Sequence, residues 1–112
     1  MKSFLVSTLA ASVFAGAAVP ASKVCVANMG GYDLNWWLDD LISGNESNNS
    51  GSYPIDQMRC NEISLEGLAE GDFLELMVHA VLGVTKAADS AIIYKAGAGT
   101  VTFTCNGTTL NF

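Results

Sequence analysis

The side chains in this sequence with chemical reach are one histidine, three cysteines, eleven carboxylates and an adjacent pair of tryptophans. His79 would need a hydroxyl or thiol within hydrogen-bond reach and an acid behind it to run a nucleophilic relay. No Gly-x-Ser-x-Gly elbow occurs, so nothing local prepares His79 for that work, and it reads as a strand histidine with a solvent or backbone partner. Two acidic groups, Asp39-Asp40 and Glu70-Gly71-Asp72, invite comparison with a glycosidase couple or a calcium site. A glycosidase needs two carboxyls flanking a cleft, for which a chain this short offers little room. Calcium takes about six or more oxygens, and no EF-hand spacing is present. Both groups therefore read as solvated turn acids. No catalytic residue, metal or cofactor is expected, and the chain is read as non-enzymatic.

The aromatic residues are the stronger functional signal. If Leu34–Leu38 is a strand, Trp36 shares the inner face with Leu34 and Leu38, while Trp37 points outward beside Asn35 and Asp39. A helix reverses those roles. An outward tryptophan among polar neighbours can stack on a sugar, settle into a lipid interface or anchor a protein contact. Tyr32 and Tyr53, near loop ends, join Trp37 and Trp36 as the candidate ligand or partner surface. The competing reading packs Trp37 under the neighbouring polar loop or against a second sheet.

The N-terminus limits where these residues act. Lys2 precedes an uncharged apolar run from Phe4 to Ala18, followed by the small residues Ala17-Ala18-Val19-Pro20-Ala21. This pattern predicts a cleaved signal peptide over 1–21, with a cut after Ala18 as the alternative, and a single domain over 22–112. The product is expected to be secreted, or periplasmic in a bacterium. Lys23, Arg59, Lys86 and Lys95 would then face eleven acidic residues, a net charge of −7. Such a surface repels phosphate backbones and anionic headgroups, which excludes nucleic acid and leaves glycan, neutral lipid or protein as partner classes. In an oxidising compartment two of Cys25, Cys60 and Cys105 should pair, and all three pairings are open. The remaining thiol is either buried or joins two chains as a dimer. Asn45, Asn48 and Asn106 begin Asn-x-Ser/Thr triplets and are candidate glycosylation sites.

The elements that must hold these residues are short and β-rich. Lys23–Asn28 is a β-branched run closed by Gly30-Gly31, and Thr100–Cys105 has the clearest two-residue alternation. Ser43–Ser52 reads as an exposed polar loop, and Gln57–Leu65 as extended chain with a bulge near Cys60-Asn61. Two segments, 33–43 and 72–83, match helical and strand periods alike. Asp72, Glu75 and Gly83 even supply helix caps. The paired tryptophans after the Gly-Gly turn favour strand in the first, and extended flanking segments favour it in the second. Asn106-Gly107 predicts a hairpin pairing Thr108–Phe112 back onto the preceding strand. About seven short strands then imply an all-β, small antiparallel β-sandwich, the alternative being α+β with a helix at about 72–83.

Val26-Ala27-Asn28 before Gly30-Gly31, a tryptophan strand, and a polar loop entering Tyr53-Pro54-Ile55 are similar in layout to small secreted microbial β-sandwich proteins, including the lipid-binding aegerolysins. The likeness is of layout and transfers no functional residue. Function is expected to be binding or assembly through an exposed aromatic surface. A lipid-binding or membrane-active protein is the alternative, and a small hydrolase or hydrolase inhibitor a third.

Overall fold

Alternation of apolar and polar side chains decides most of the architecture. The structure, a computed structural model, describes residues 4–6, 18–81 and 83–106. Among the described residues the chain forms nine strands and no helix: β1 (Phe4–Val6), β2 (Ala18–Ala21), β3 (Lys23–Asn28), β4 (Leu34–Asp40), β5 (Gln57–Glu62), β6 (Phe73–Ala80), β7 (Thr85–Ala87), β8 (Ala91–Tyr94) and β9 (Thr100–Cys105). One sheet runs β1-β9-β3-β5 and the other β2-β8-β6-β4, with β7 beside β6. Val24, Val26, Val101 and Phe103 of the first sheet and Leu34, Trp36, Leu74, Leu76, Val78 and Ile92 of the second share one buried core. That arrangement is compatible with a small β-sandwich.

Both ambiguous segments are strands. In β4, Leu34, Trp36, Leu38 and Asp40 are buried and the intervening residues are half-buried. In β6, Leu74, Leu76, Val78 and Ala80 take the inner face. The two pair antiparallel over their length, from Leu34↔Ala80 to Asp40↔Leu74, which satisfies backbone groups that an isolated helix would satisfy within itself.

The sheets are mixed rather than purely antiparallel, which corrects the sequence-based expectation. β2 pairs parallel with β8, and β3 parallel with β9. The cause is a shared change of sheet. The chain leaves one sheet for the other at Ser22, between β2 and β3, and again at 95–99, between β8 and β9. The two runs travel side by side in the same direction through both sheets. At the crossing, Ser22 N and Lys23 N both donate to Gly99 O, at 2.8 and 3.1 Å. Gly99 sits at φ +105°, a conformation that L side chains rarely adopt.

The expected bulge in β5 is absent: its register against β3 runs unbroken from Lys23↔Glu62 to Asn28↔Gln57. β5 is an edge strand whose residues are exposed except for half-buried Cys60. It has no buried face, so its composition carries no phase to read. Cys25 and Cys60 stand directly opposite each other and form the disulfide, while Cys105 is free and buried in β9.

The polar stretch after β4 is exposed yet tied down. Ser47 N donates to Leu38 O and Ser50 N to Trp36 O, each at 2.8 Å. In return Leu38 N donates to Ser47 Oγ at 2.8 Å and Trp36 N to Ser50 Oγ at 2.9 Å. Two serine hydroxyls thus stand where a neighbouring strand would offer carbonyls. At the far end Tyr53 pairs with Leu34 and sends its hydroxyl across the core to Val26 O at 2.6 Å. Buried Asn28 closes the same corner, donating from Nδ2 to Tyr32 O and Tyr53 O at 2.6 and 3.0 Å and accepting from Gly30 N at 3.0 Å.

β2 belongs to this core through Val19 and Ala21, which are 3% and 0% exposed. The expected cut after Ala21 removes that strand, whereas a cut after Ala18 keeps Val19 to Ala21. The predicted pairing of Thr108–Phe112 lies outside the described residues.

Candidate functional site

Directly opposed residues lie on the same face of a sheet, so the register assigns the outer face of β2-β8-β6-β4 row by row. Pro20 is opposite Ile93, and Ile93 opposite Phe73. Leu41 N donates to Phe73 O at 2.9 Å, extending this apolar row past β4. The next row is acidic: Glu75 faces Asp39, which bridges to Glu46. Beyond it Met77 lies between Trp37 and Ala87, and the Trp37 indole N–H donates to Asp39 Oδ1 at 3.1 Å. The last row is Asn35, His79 and Thr85, with His79 Nδ1 2.9 Å from Thr85 Oγ1. The face is therefore striped: apolar, acidic, aromatic and polar.

Of the four aromatics expected on a ligand surface, Trp37 takes this outer face and is half-buried. Trp36, Tyr53 and Tyr32 are core residues, 1%, 1% and 7% exposed. Trp36 follows the inward phase of β4, as the strand reading requires. Its indole N–H is buried without a well-formed hydrogen bond, and the neighbouring acceptor is the Tyr53 hydroxyl, which donates its own proton to Val26 O. The Tyr32 hydroxyl donates to Asn106 O at 3.1 Å, and a side chain at Gly30 would collide with the Tyr32 ring. Burial pushes both tyrosine hydroxyls well above their ordinary range.

Phe73, Leu41 and Met77 were not expected at the site. The alternation of 72–83 does place Phe73, Glu75, Met77 and His79 on one face, but it carries no sign that β4 is the neighbour that brings Trp37 beside them.

Each acidic group is divided, Asp39-Asp40 by the pleat of β4 and Glu70-Gly71-Asp72 by the turn that enters β6. Asp39 faces outward while Asp40 is buried at 1% exposure. Glu70 points away, accepting from Ala96 N at 2.6 Å, while Asp72 is buried at 7% exposure. The two inward carboxyls, one from each group, are neighbours: Asp72 stands two residues before Leu74, the register partner of Asp40, and each carboxyl influences the other. No cluster of three or more His, Cys, Asp or Glu side chains able to hold a metal occurs among the described residues.

A half-open cleft of about 350 Å³ lies between Ser47–Ser50 and the Asn61–Ser64 stretch, with Trp36 and Leu38 beneath. Asn45 and Asn48, the candidate glycosylation sites of this loop, are exposed, and Asn106 is half-buried. Asn45 Nδ2 donates to Glu66 O at 2.7 Å. Cys105 is 0% exposed, and burial pushes its thiol far above the ordinary range, which favours a buried, inert thiol over a link between two chains.

Comparison with models of protein families, with curated proteins and with solved structures finds no match to this chain.

Proposed function

We propose that this domain is a secreted, non-catalytic binding module that grips a cationic, partly apolar protein segment with its Trp37 face. The observation that carries the reading is the row Glu75, Asp39 and Glu46, side by side between an apolar row and Trp37 with Met77. Like charges directly opposite one another in a sheet are destabilising, and a basic partner relieves that repulsion. The flanking rows supply apolar area that a partner can bury. The disulfide between Cys25 and Cys60 is consistent with an oxidising compartment.

A synthetic peptide of alternating lysine and leucine serves as the test probe, with tryptophan emission as the readout. Trp36 is 1% exposed, so a shift on titration reports on Trp37. The expected result is a saturable blue shift that weakens at about 1 M salt, where screening acts within about 3 Å. Trp37→Phe should remove the signal, and Glu75→Gln should weaken binding several-fold. An unchanged spectrum up to millimolar peptide would overturn the reading.

A second reading is favoured by Leu41 and Ile42, which are 56% and 67% exposed beside Phe73 at the exit of β4. Such a tip suits insertion into neutral lipid. Co-sedimentation with sterol-containing zwitterionic vesicles, lost in a Leu41→Ser/Ile42→Ser double variant, would move the lipid reading ahead of the peptide one.

A further inference from the structure

The contact between Asp40 and Asp72 has a feature that two ordinary surface acids lack. Asp40 Oδ1 accepts from Ile42 N at 2.8 Å and Ser43 N at 3.1 Å. Asp72 Oδ2 accepts from Ala69 N at 3.1 Å. Each carboxyl thus caps its own turn, one leaving β4 and the other entering β6. Asp40 Oδ2 remains buried with no donor to it, and the Asp72 carboxyl is the neighbouring acid that influences Asp40. Ionised carboxylates only accept hydrogen bonds, so a direct hydrogen bond between them requires a proton.

The charged groups of the surrounding elements do not compensate the pair. Asp39 and Glu75 lie on the opposite face of the sheet, and Glu46 bridges to Asp39. Glu70 is bound to Ala96 N. Glu66 and Lys95, on the adjoining turns, are exposed. The influences on the two carboxyls are burial, the backbone N–H groups, Ser43 and each other.

We propose that Asp40 and Asp72 share one proton, and that this proton latches the exit turn of β4 to the turn that precedes β6. The hydrogen bond to Asp40, with burial, holds the Asp72 carboxyl above the usual carboxylate range. Burial alone would raise Asp40 too. The N–H groups of Ser43 and Ile42 and the hydrogen bond from Asp72 outweigh it and leave Asp40 below that range. Asp40 accepts two backbone N–H groups and Asp72 one, so the negative charge sits better on Asp40, and the proton stays on Asp72 and points to the donorless Asp40 Oδ2.

The sign of the pH dependence follows from linkage. Asp72 binds its proton more tightly folded than unfolded. Its contribution is complete below the unfolded value and is lost as pH rises through the folded one. Asp40 has the opposite sign, losing its contribution as pH falls through its depressed value. The latch is strongest between the two folded values and opens on the alkaline side. The proposal does not depend on the Trp37 reading.

Thermal unfolding of the protein and of Asp72→Asn, followed in chelator across a pH series, tests it. Asparagine keeps the shape and offers a permanent N–H to Asp40. The gap between the two proteins should be smallest below the unfolded carboxylate value, about pH 4. As pH rises the wild type should fall below the variant, and the gap should level off once Asp72 is ionised. Amide exchange at Ile42, Ser43 and Ala69, corrected for intrinsic base catalysis, should quicken over the same range in the wild type only. Asp40→Asn gives a second comparison with the same expected flattening should Asp72→Asn fold poorly. Parallel melting curves at every pH would overturn the proposal. So would calcium that raises the wild-type melting temperature at neutral pH but not that of Asp72→Asn, because a cation would then bridge the carboxyls.

Discussion

At Glu75, replacement by glutamine removes one of three carboxylates packed along a single row with Asp39 and Glu46. Opposed like charges in a sheet cost a few tenths to about 1 kcal/mol, reduced here by solvent because the row is partly exposed. Glu75→Gln should accordingly raise the urea midpoint slightly at low salt, with the gain fading as salt screens the wild type. A loss of stability at low salt would show that Glu75 has a partner more important than its repulsion. The same substitution is expected to weaken binding of the basic peptide, so stability and binding should move in opposite directions. That opposition belongs to a residue kept for contact with a partner, since real proteins tend to break local rules where they function.

Between strands, the loop after β4 decides how its edge is finished. Ser50 Oγ accepts from Trp36 N, and Ser50→Ala would leave that backbone donor without its partner at a cost of about 1–2 kcal/mol. Urea unfolding of the variant checks this, and an unchanged midpoint would mean that water replaces the hydroxyl at no cost. The element level also shows what a reader of the sequence can and cannot extract. The alternation in Val101, Phe103 and Cys105 was enough for β9, because a strand with one buried face records its phase in composition. For 33–43 and 72–83 the helical and strand patterns were equally good. What separates them is their mutual pairing, and pairing is non-local information. β5 misled for the opposite reason, since an edge exposed on both faces records nothing. At the candidate site, Trp37 could be read as outward. Its neighbours Met77 and Phe73, and the meeting of Asp40 with Asp72, depend on β4 and β6 lying side by side, which neither segment announces. Parallel directions were likewise invisible, because they arise from two sheet changes made together.

For the whole molecule, the disulfide is the largest single constraint that can be removed without altering the sequence. It closes a loop with a sequence separation of 35 between Cys25 and Cys60, for which chain entropy predicts about 3–4 kcal/mol of stabilisation. The reduced protein should unfold at clearly lower urea than the oxidised one, and alkylation of Cys105 should appear only once unfolding begins. Modification of Cys105 under native, oxidised conditions would contradict its burial. The path of the chain has a mechanical consequence as well. β3 and β9 lie adjacent and parallel from Lys23↔Thr100 to Asn28↔Cys105. Tension drawn from the start of β3 and the end of β9 runs along the strands, and it loads their hydrogen bonds in shear. Bonds loaded that way must yield together, whereas an antiparallel pair pulled from its open end unzips one rung at a time. Because forced unfolding is governed by the barrier rather than by equilibrium stability, even a modestly stable domain of this design would transmit pull as a stiff link.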